Sequence, residues 1–112
     1  MAHIAKYLSV TAFFIVVGFA ASAFAGSNEN VVPTAVGCHE NGECFISLAT
    51  AIVQSTGCAQ NSQIRFLSTQ PGADYLFRTA LSAFLAGKVL VVNPSGACQS
   101  GFPRPLYLQV QN

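Results

Sequence analysis

The chain has 112 residues, of which 52% are hydrophobic and 8% are charged. This length suits one domain and is too short for two. Five Lys and Arg residues against four Asp and Glu give a formal charge of +1. The composition therefore excludes a strongly basic nucleic-acid binder, an acidic tail and a charge-driven disordered protein.

The N-terminus has the pattern of an export signal. Lys6 precedes an apolar run, and small residues then end in Ala23-Phe24-Ala25, which is typical of a secretory signal peptide. A transmembrane anchor is the alternative, because the apolar run is about 18 residues long. The polar stretch after Ala25 favours cleavage there. Residues 1–25 are predicted as a signal peptide, and 26–112 as one secreted or periplasmic domain without net charge or membrane contact.

The cysteines predict disulfides. Cys38, Cys44, Cys58 and Cys98 are an even set in a small exported domain. Zinc is the alternative, but the sequence has no CxxC motif, so no metal site is predicted. Three pairings are possible. A three-residue hairpin loop that ends at Gly42 places Cys38 opposite Cys44 and leaves Cys58 to join Cys98.

Five strands are predicted from the apolar pattern. In the last of them, Leu106, Leu108 and Val110 are expected to face inward and Tyr107 outward. The Gly- and Pro-rich stretch 93–105 before it is predicted as a turn and a long loop. The five strands cover residues 30–36, 44–54, 63–67, 89–92 and 106–111.

One amphipathic helix is predicted between Pro71 and Gly87, where Gly87 is placed to end it. Asp74 and Arg78 are four residues apart and form a weak pair on its polar side. The fold class is mainly β with one helix, in the order β-β-β-α-β-β. This order fits a five-stranded OB-like Greek-key barrel with the helix plugging one end; an open antiparallel sheet with one packed helix is the alternative. The expected apolar stripe is Ala73, Leu76, Phe77, Ala80, Leu81, Phe84 and Leu85.

Catalytic chemistry is weakly indicated, and no enzyme is predicted. Glu40 and Glu43 could act as acid and base, but two exposed hairpin charges are the simpler interpretation. His39 fits a solvent-facing strand better than a metal ligand or a base. The sequence has no G-x-S-x-G motif, phosphate-binding loop or interleaved basic and aromatic residues. Neither a cofactor nor a nucleic-acid partner is therefore predicted.

Neutral sugars fit the polar, uncharged loops of this sequence better than the ligands considered above. OB barrels bind oligosaccharides through one sheet face and two loops, which here correspond to residues 39–42 and 93–104. Both segments are polar and uncharged overall, and sugar sites combine such groups with an aromatic platform. Ordinary solvated loops are the alternative. The candidate binding residues are His39, Asn41, Gln99, Arg104 and Tyr107.

Two stretches between Glu43 and Val92 resemble a known family. The residues ECFIS at 43–47, followed by Cys58 fourteen residues after Cys44, resemble the paired-cysteine stretch in B subunits of pertussis-like and subtilase-type AB5 toxins. The residues YLFRTALSAFLAGKV at 75–89 are similar to their helix and following strand. They resemble even more closely a group of small secreted bacterial proteins.

The resemblance implies a pentameric, glycan-binding OB-fold subunit whose helix lines a central pore. Asp74, Arg78 and Ser82 would then face the pore or a neighbouring subunit. The family's cysteine spacing implies Cys44–Cys58, against the hairpin argument, and no sugar-contacting residue can be matched by position. We therefore expect an exported binding protein for a cell-surface glycan, with a homo-oligomer as one option. A small periplasmic accessory protein that binds another protein is the alternative function.

Overall fold

A computed structural model describes residues 27–112, so the predicted signal peptide lies outside the described part. The described chain is mostly β with one helix, as predicted. The elements in chain order are β1 (Glu29–Val31), β2 (Pro33–Cys38), β3 (Glu43–Leu48), β4 (Gln63–Leu67), α1 (Ala73–Ala86), β5 (Val89–Gln99) and β6 (Phe102–Gln111).

The strands form two antiparallel sheets, in the orders β1-β5-β6 and β2-β3-β4. The strand predicted at 30–36 is divided into two at Val32. β1 pairs with β5, with Asn30 opposite Val91, and β2 pairs with β3, with Val36 opposite Ile46. One extended segment thus contributes a strand to each sheet, and the strand count is six instead of five.

The predicted closed barrel is not formed. Within residues 27–112, no hydrogen-bonded ladder joins β4 to β6, although the two strands are in contact. Pro103 and Pro105 have no N–H group, so β6 has two fewer donors for a ladder. A strand without these donors favours side-chain packing over a ladder. The sheets remain open, closer to the predicted alternative but with two sheets.

The stretch 93–105, predicted as a turn and a loop, is mostly strand. β5 continues to Gln99, and the two-residue turn Ser100-Gly101 leads directly into β6. Both turn residues have positive φ, 52° and 83°, as a type I′ hairpin requires. The sequence Asn93-Pro94-Ser95-Gly96 suggested a turn, but the structure accommodates it as an irregularity of the ladder.

The inward–outward alternation predicted for β6 is confirmed for Leu108, which packs against the core, and for the exposed Tyr107, but it is wrong for Leu106 and Val110. Asn93 pairs with Tyr107 and Pro94 with Pro105, so Leu106 has no partner on β5 and forms a bulge. The extra residue disrupts the alternation, and Leu106 is 68% exposed. Val110, near the end of the edge strand, is exposed as well.

The strand predicted at 44–54 stops at Leu48 because other groups take over the backbone hydrogen bonds. The Glu29 carboxylate accepts the N–H groups of Val53 and Gln54, at 3.0 and 3.3 Å. Ile52 remains in the core, held by its N–H bond to the Asn61 carbonyl at 3.0 Å. The segment between β3 and β4 is therefore an ordered loop.

Helix α1 matches its prediction in extent. It ends at Gly87, which has φ 66° and, with Lys88, satisfies the last carbonyls of the helix. The helix packs mainly against β2 and β6, one strand from each sheet, so it bridges the sheets instead of plugging a barrel end. No helix within residues 27–112 is long and apolar enough to cross a membrane.

The core lies between the sheets and α1. The helix buries small side chains, Ala73, Ala80 and Ala83, which allow close approach to the sheets. Leu85, predicted inward, is 74% exposed, because it lies about 120° around the helix from Ala73. Phe84, in the last turn, is only partly covered. The largest fully buried side chains are Phe66, Ile46, Ile64, Leu90, Val92 and Pro103.

Both disulfides follow the hairpin argument, Cys38–Cys44 and Cys58–Cys98. The pairing implied by the toxin resemblance, Cys44–Cys58, is wrong. Cys38 lies opposite Cys44 in the β2–β3 ladder, and Gly42 has φ 90° in the loop between them. The four sulfurs are bonded in two pairs, so no thiolate is available for zinc.

Candidate functional site

The five candidate binding residues fall into two separate places. His39, Asn41 and Gln99 surround Glu43 at the β2–β3 hairpin. Arg104 and Tyr107 lie on β6, next to the N-terminal half of α1. The structure therefore does not bring the five together, and each group is described in turn.

Glu43 is the centre of a buried polar network. It was predicted as an exposed hairpin charge, but it is the one buried charged residue of the described chain. Its Oε1 accepts hydrogen bonds from the Ser100 hydroxyl and from Gln99 Nε2, the latter at 3.0 Å. Its Oε2 lies 2.8 Å from Arg65 Nη1. The carboxylate thereby links β3 to β4 and to the β5–β6 turn.

Arg65 is positioned by an ion pair with Glu43, a side-chain hydrogen bond and two aromatic rings. Its Nε donates to Gln63 Oε1 at 2.9 Å. Its guanidinium carbon lies 4.7 Å from the centroid of the Phe102 ring and 5.9 Å from that of Phe45, within cation–π range. The network fastens the β5–β6 hairpin to the β2-β3-β4 sheet.

The network keeps Glu43 ionised. The hydrogen bond from the Ser100 hydroxyl lowers the pKa of the Glu43 carboxyl below its usual value of 4.5. Burial raises this pKa, but Gln99 and Arg65 act with Ser100, and the result is a lowered value. A carboxyl of lowered pKa is a poor proton donor at neutral pH, and Glu40 beside it is exposed. The acid–base pair considered from the sequence is therefore not supported.

The first three candidates consequently serve the hairpin. Asn41 Oδ1 accepts the Glu43 N–H at 3.0 Å, in a local turn. The His39 N–H donates to the Glu43 carbonyl at 2.8 Å, and the His39 ring lies 5.4 Å from the Phe45 ring. Gln99 is engaged with the Glu43 carboxylate. These bonds use the His39 backbone N–H, the Asn41 side-chain oxygen and the Gln99 amide nitrogen. The His39 ring nitrogens and Asn41 Nδ2 have no hydrogen-bond partner within residues 27–112.

The second place is an open groove between α1 and β6. It has a volume of about 250 Å³, smaller than the ~300–1,000 Å³ of pockets that enclose a drug-sized ligand. Tyr75 on the helix is 75% exposed, and Tyr107 on the strand is 38% exposed. Of residues 27–112, only uncharged ones line the groove: Gln70, Pro71, Gly72, Tyr75, Leu76, Thr79, Leu106, Tyr107 and Leu108.

Arg104 holds the side chain of Gln70, which is one of the residues that line this groove. Its Nη2 donates to Gln70 Oε1 at 2.5 Å, and the Leu67 N–H points to the same oxygen at 3.4 Å. Arg104 itself does not line the groove. It is therefore placed to orient Gln70 instead of contacting a ligand.

A second cavity of about 200 Å³ lies on the other side of α1, beside the Cys38–Cys44 disulfide. Ala73 and Phe77 give it a largely apolar lining. Its one charged lining residue, Asp74, is paired with Arg78 at 2.8 Å in the predicted i, i+4 pair. The cavity therefore offers few polar groups to a ligand.

Sequence reasoning identified Tyr107 but missed Tyr75, Gln70 and Thr79. Tyr75 lies on the polar side of an amphipathic helix, where an exposed aromatic residue is unusual enough to mark a binding surface. That signal was present in the sequence. The proximity of Tyr75 to Tyr107 was not, because it depends on α1 packing against β6.

Comparison with protein-family models, curated proteins and solved structures found no match for this chain.

Proposed function

We propose that this protein is an exported binding module that recognises a neutral glycan in the groove between α1 and β6. The observation that carries the proposal is the pair of exposed tyrosines, Tyr75 and Tyr107, on the two sides of one uncharged groove. Tyrosine presents an apolar ring face and a polar hydroxyl, the combination that a sugar ring with apolar C–H faces and hydroxyl edges requires.

Export is supported by the disulfides. Two disulfides in a chain of this size are typical of secreted and periplasmic domains and rare in the cytosol. The signal-peptide pattern at 1–25 points to the same compartment.

An OB-like relationship is part of the proposal. Its support is the segment 29–38, which pairs first with β5 and then with β3, as the first strand of an OB barrel spans both halves. A closed OB barrel would also have hydrogen bonds between the strands that correspond to β4 and β6, which form no ladder within the described chain. A pentameric, B-subunit-like assembly is a further option, and light scattering of the oxidised protein would reveal it.

A glycan array followed by calorimetric titration of the bound glycans tests the function. Tyr75→Ala and Tyr107→Ala should each weaken binding about tenfold, as expected for loss of roughly 1–1.5 kcal/mol of aromatic contact. Phe84→Ala is the matched control, because Phe84 is an aromatic residue of α1, 38% exposed like Tyr107, and outside the groove. Absence of binding to every glycan, or equal losses in all three variants, would contradict the proposal.

Protein binding is the second candidate, favoured by one observation. β6 is an edge strand that exposes Leu106 and Val110, and exposed edges accept strands from partners. A monomer that binds no glycan, but captures a periplasmic protein in a manner abolished by Leu106→Lys, would favour this function instead.

A further inference from the structure

The polar groups of the groove have a fixed hydrogen-bonding direction. Gln70 Oε1 faces two donors, Arg104 Nη2 and the Leu67 N–H, so the oxygen of this amide must occupy that position and Nε2 must point away. Within the described chain, Nε2 has no hydrogen-bond partner, and every buried side-chain N or O atom there has one. Nε2 is therefore exposed. Gln70 is one of the residues that line the groove, and the free group of its amide is a donor.

Thr79 offers a hydrogen-bond acceptor, where Gln70 offers a donor. Its hydroxyl donates to the Tyr75 carbonyl one helical turn earlier, at 2.8 Å. With its only proton engaged there, Oγ1 retains lone pairs and can act only as an acceptor. The groove thus presents a donor at Gln70 and an acceptor at Thr79.

Three leucines add aliphatic surface to the groove beside the two tyrosines. Leu76, Leu106 and Leu108 line the same groove. A ligand that fits these features carries a hydrogen-bond acceptor, a donor and a small apolar group, and no charge. The acetamido group has this composition, because it joins a carbonyl, an N–H and a methyl group in one plane.

We infer that the groove selects 2-acetamido sugars, with Gln70 Nε2 donating to the acetamido carbonyl and Thr79 Oγ1 accepting from its N–H. The methyl group lies against the leucines, and the tyrosines contact the sugar rings. Arg104 is a positioning residue that holds the Gln70 amide in its donating orientation. This inference rests on the proposed glycan-binding function and names the sugar class.

Two trisaccharides test the selection directly. Chitotriose and cellotriose share the same linkage and differ at C2, where one has an acetamido group and the other a hydroxyl. Chitotriose should bind at least about tenfold more tightly, the effect of one or two additional hydrogen bonds. Equal binding of both would overturn the acetamido selection and leave the glycan function standing. Binding of neither, together with an empty glycan array, would overturn both.

Gln70→Glu tests the donor. A glutamate keeps the shape and can pair with Arg104, so the melting temperature should be maintained, but Nε2 is replaced by an oxygen. Chitotriose affinity should fall about tenfold. Gln109→Glu, the same change at an exposed position of β6 outside the groove, should have no effect. Unchanged affinity in a folded Gln70→Glu protein would overturn the assignment.

Thr79→Val tests the acceptor and also serves if Gln70→Glu fails to fold. Valine has the shape of threonine without the hydroxyl, and a loss of about fivefold in chitotriose affinity is expected. Thr79→Ser keeps the hydroxyl and should retain most of the affinity. Equal affinities for the Val and Ser variants would contradict the proposed role of Oγ1.

Discussion

Replacing Glu43 with glutamine is expected to lower the free energy of unfolding by about 3 kcal/mol, at the low end of the range for breaking a buried ion pair. The side chains of Arg65 and Glu43 are only 17% and 10% exposed. Glutamine fits the same space, but it has no charge to balance Arg65 and offers one acceptor oxygen where the carboxylate has two. Urea unfolding of the oxidised protein measures the loss.

The chain contains its own control for this experiment. Asp74 and Arg78 form an ion pair of the same 2.8 Å length, but their side chains are 70% and 71% exposed. Asp74→Asn should therefore cost less than about 0.5 kcal/mol. If Asp74→Asn were as destabilising as Glu43→Gln, burial would not be what gives the Glu43 network its importance.

The pH dependence of stability provides a second measurement on the same variant. The folded-state pKa of Glu43 lies below its ordinary value of 4.5, so its contribution is fully present above that pH. The contribution is lost as the pH falls through the folded-state pKa. On acidification below pH 4.5, the wild-type free energy of unfolding should therefore decrease more than that of Glu43→Gln. If the free energies of unfolding of the two proteins fell in parallel with pH, Glu43 would not be the cause of the loss of stability.

Removing the Cys58–Cys98 disulfide with a double alanine variant is expected to cost about 4 kcal/mol on the chain-entropy model. The bond closes a loop of 40 residues, which restricts the unfolded chain strongly. It also ties the loop between β3 and β4 to β5. Nearby, the Gln60 N–H of this loop donates to the Gly101 carbonyl of the β5–β6 turn at 2.9 Å. Urea unfolding and protease sensitivity of that loop report the two effects.

The short disulfide is the comparison. Cys38 and Cys44 are six residues apart, so loop closure contributes about 2 kcal/mol. Truncating the buried Cys44 side chain adds about 1 kcal/mol at most. Loss of the long disulfide should thus remain the more costly change, and the reverse order would contradict the loop-length argument.

Local features of the fold were predictable from the sequence. The helix from Ala73 to Gly87 follows from its apolar spacing and terminal glycine, and the Cys38–Cys44 pairing follows from a three-residue loop ending at Gly42. Each depends on fewer than about 20 neighbouring residues, a range over which periodicity and turn chemistry are informative.

Among long-range features, only the Cys58–Cys98 disulfide was predicted, because pairing Cys38 with Cys44 leaves these two cysteines to each other; the others were not predictable. The burial of Glu43 depends on Gln99 and Ser100, which lie 56 and 57 residues further along the chain. The exposure of Leu106 depends on a bulge in the pairing of β5 with β6. Barrel closure likewise depends on whether two distant strand edges meet, and hydrophobic alternation contains no information about that contact.

The candidate site likewise combines a residue that the local pattern predicts with one whose position depends on long-range packing. Tyr107 was identified as an outward-facing aromatic, whereas its partner Tyr75 lies 32 positions earlier, on a helix whose packing partner was unknown. His39, Asn41 and Gln99 were chosen because polar loop residues often bind ligands. In the structure the Asn41 side-chain oxygen and the Gln99 amide nitrogen both bind Glu43, whereas the His39 ring makes no hydrogen bond within residues 27–112.

Mapping the amide chemical shifts of the ¹⁵N-labelled, oxidised protein during a chitotriose titration tests the location of binding most directly. The groove between α1 and β6 predicts shifts concentrated at residues 70–79 and 106–108, with the hairpin residues 39–43 unaffected. Shifts concentrated at 39–43 and 95–100 would contradict a glycan site in this groove, and no shifts at any chitotriose concentration would contradict the selection of acetamido sugars.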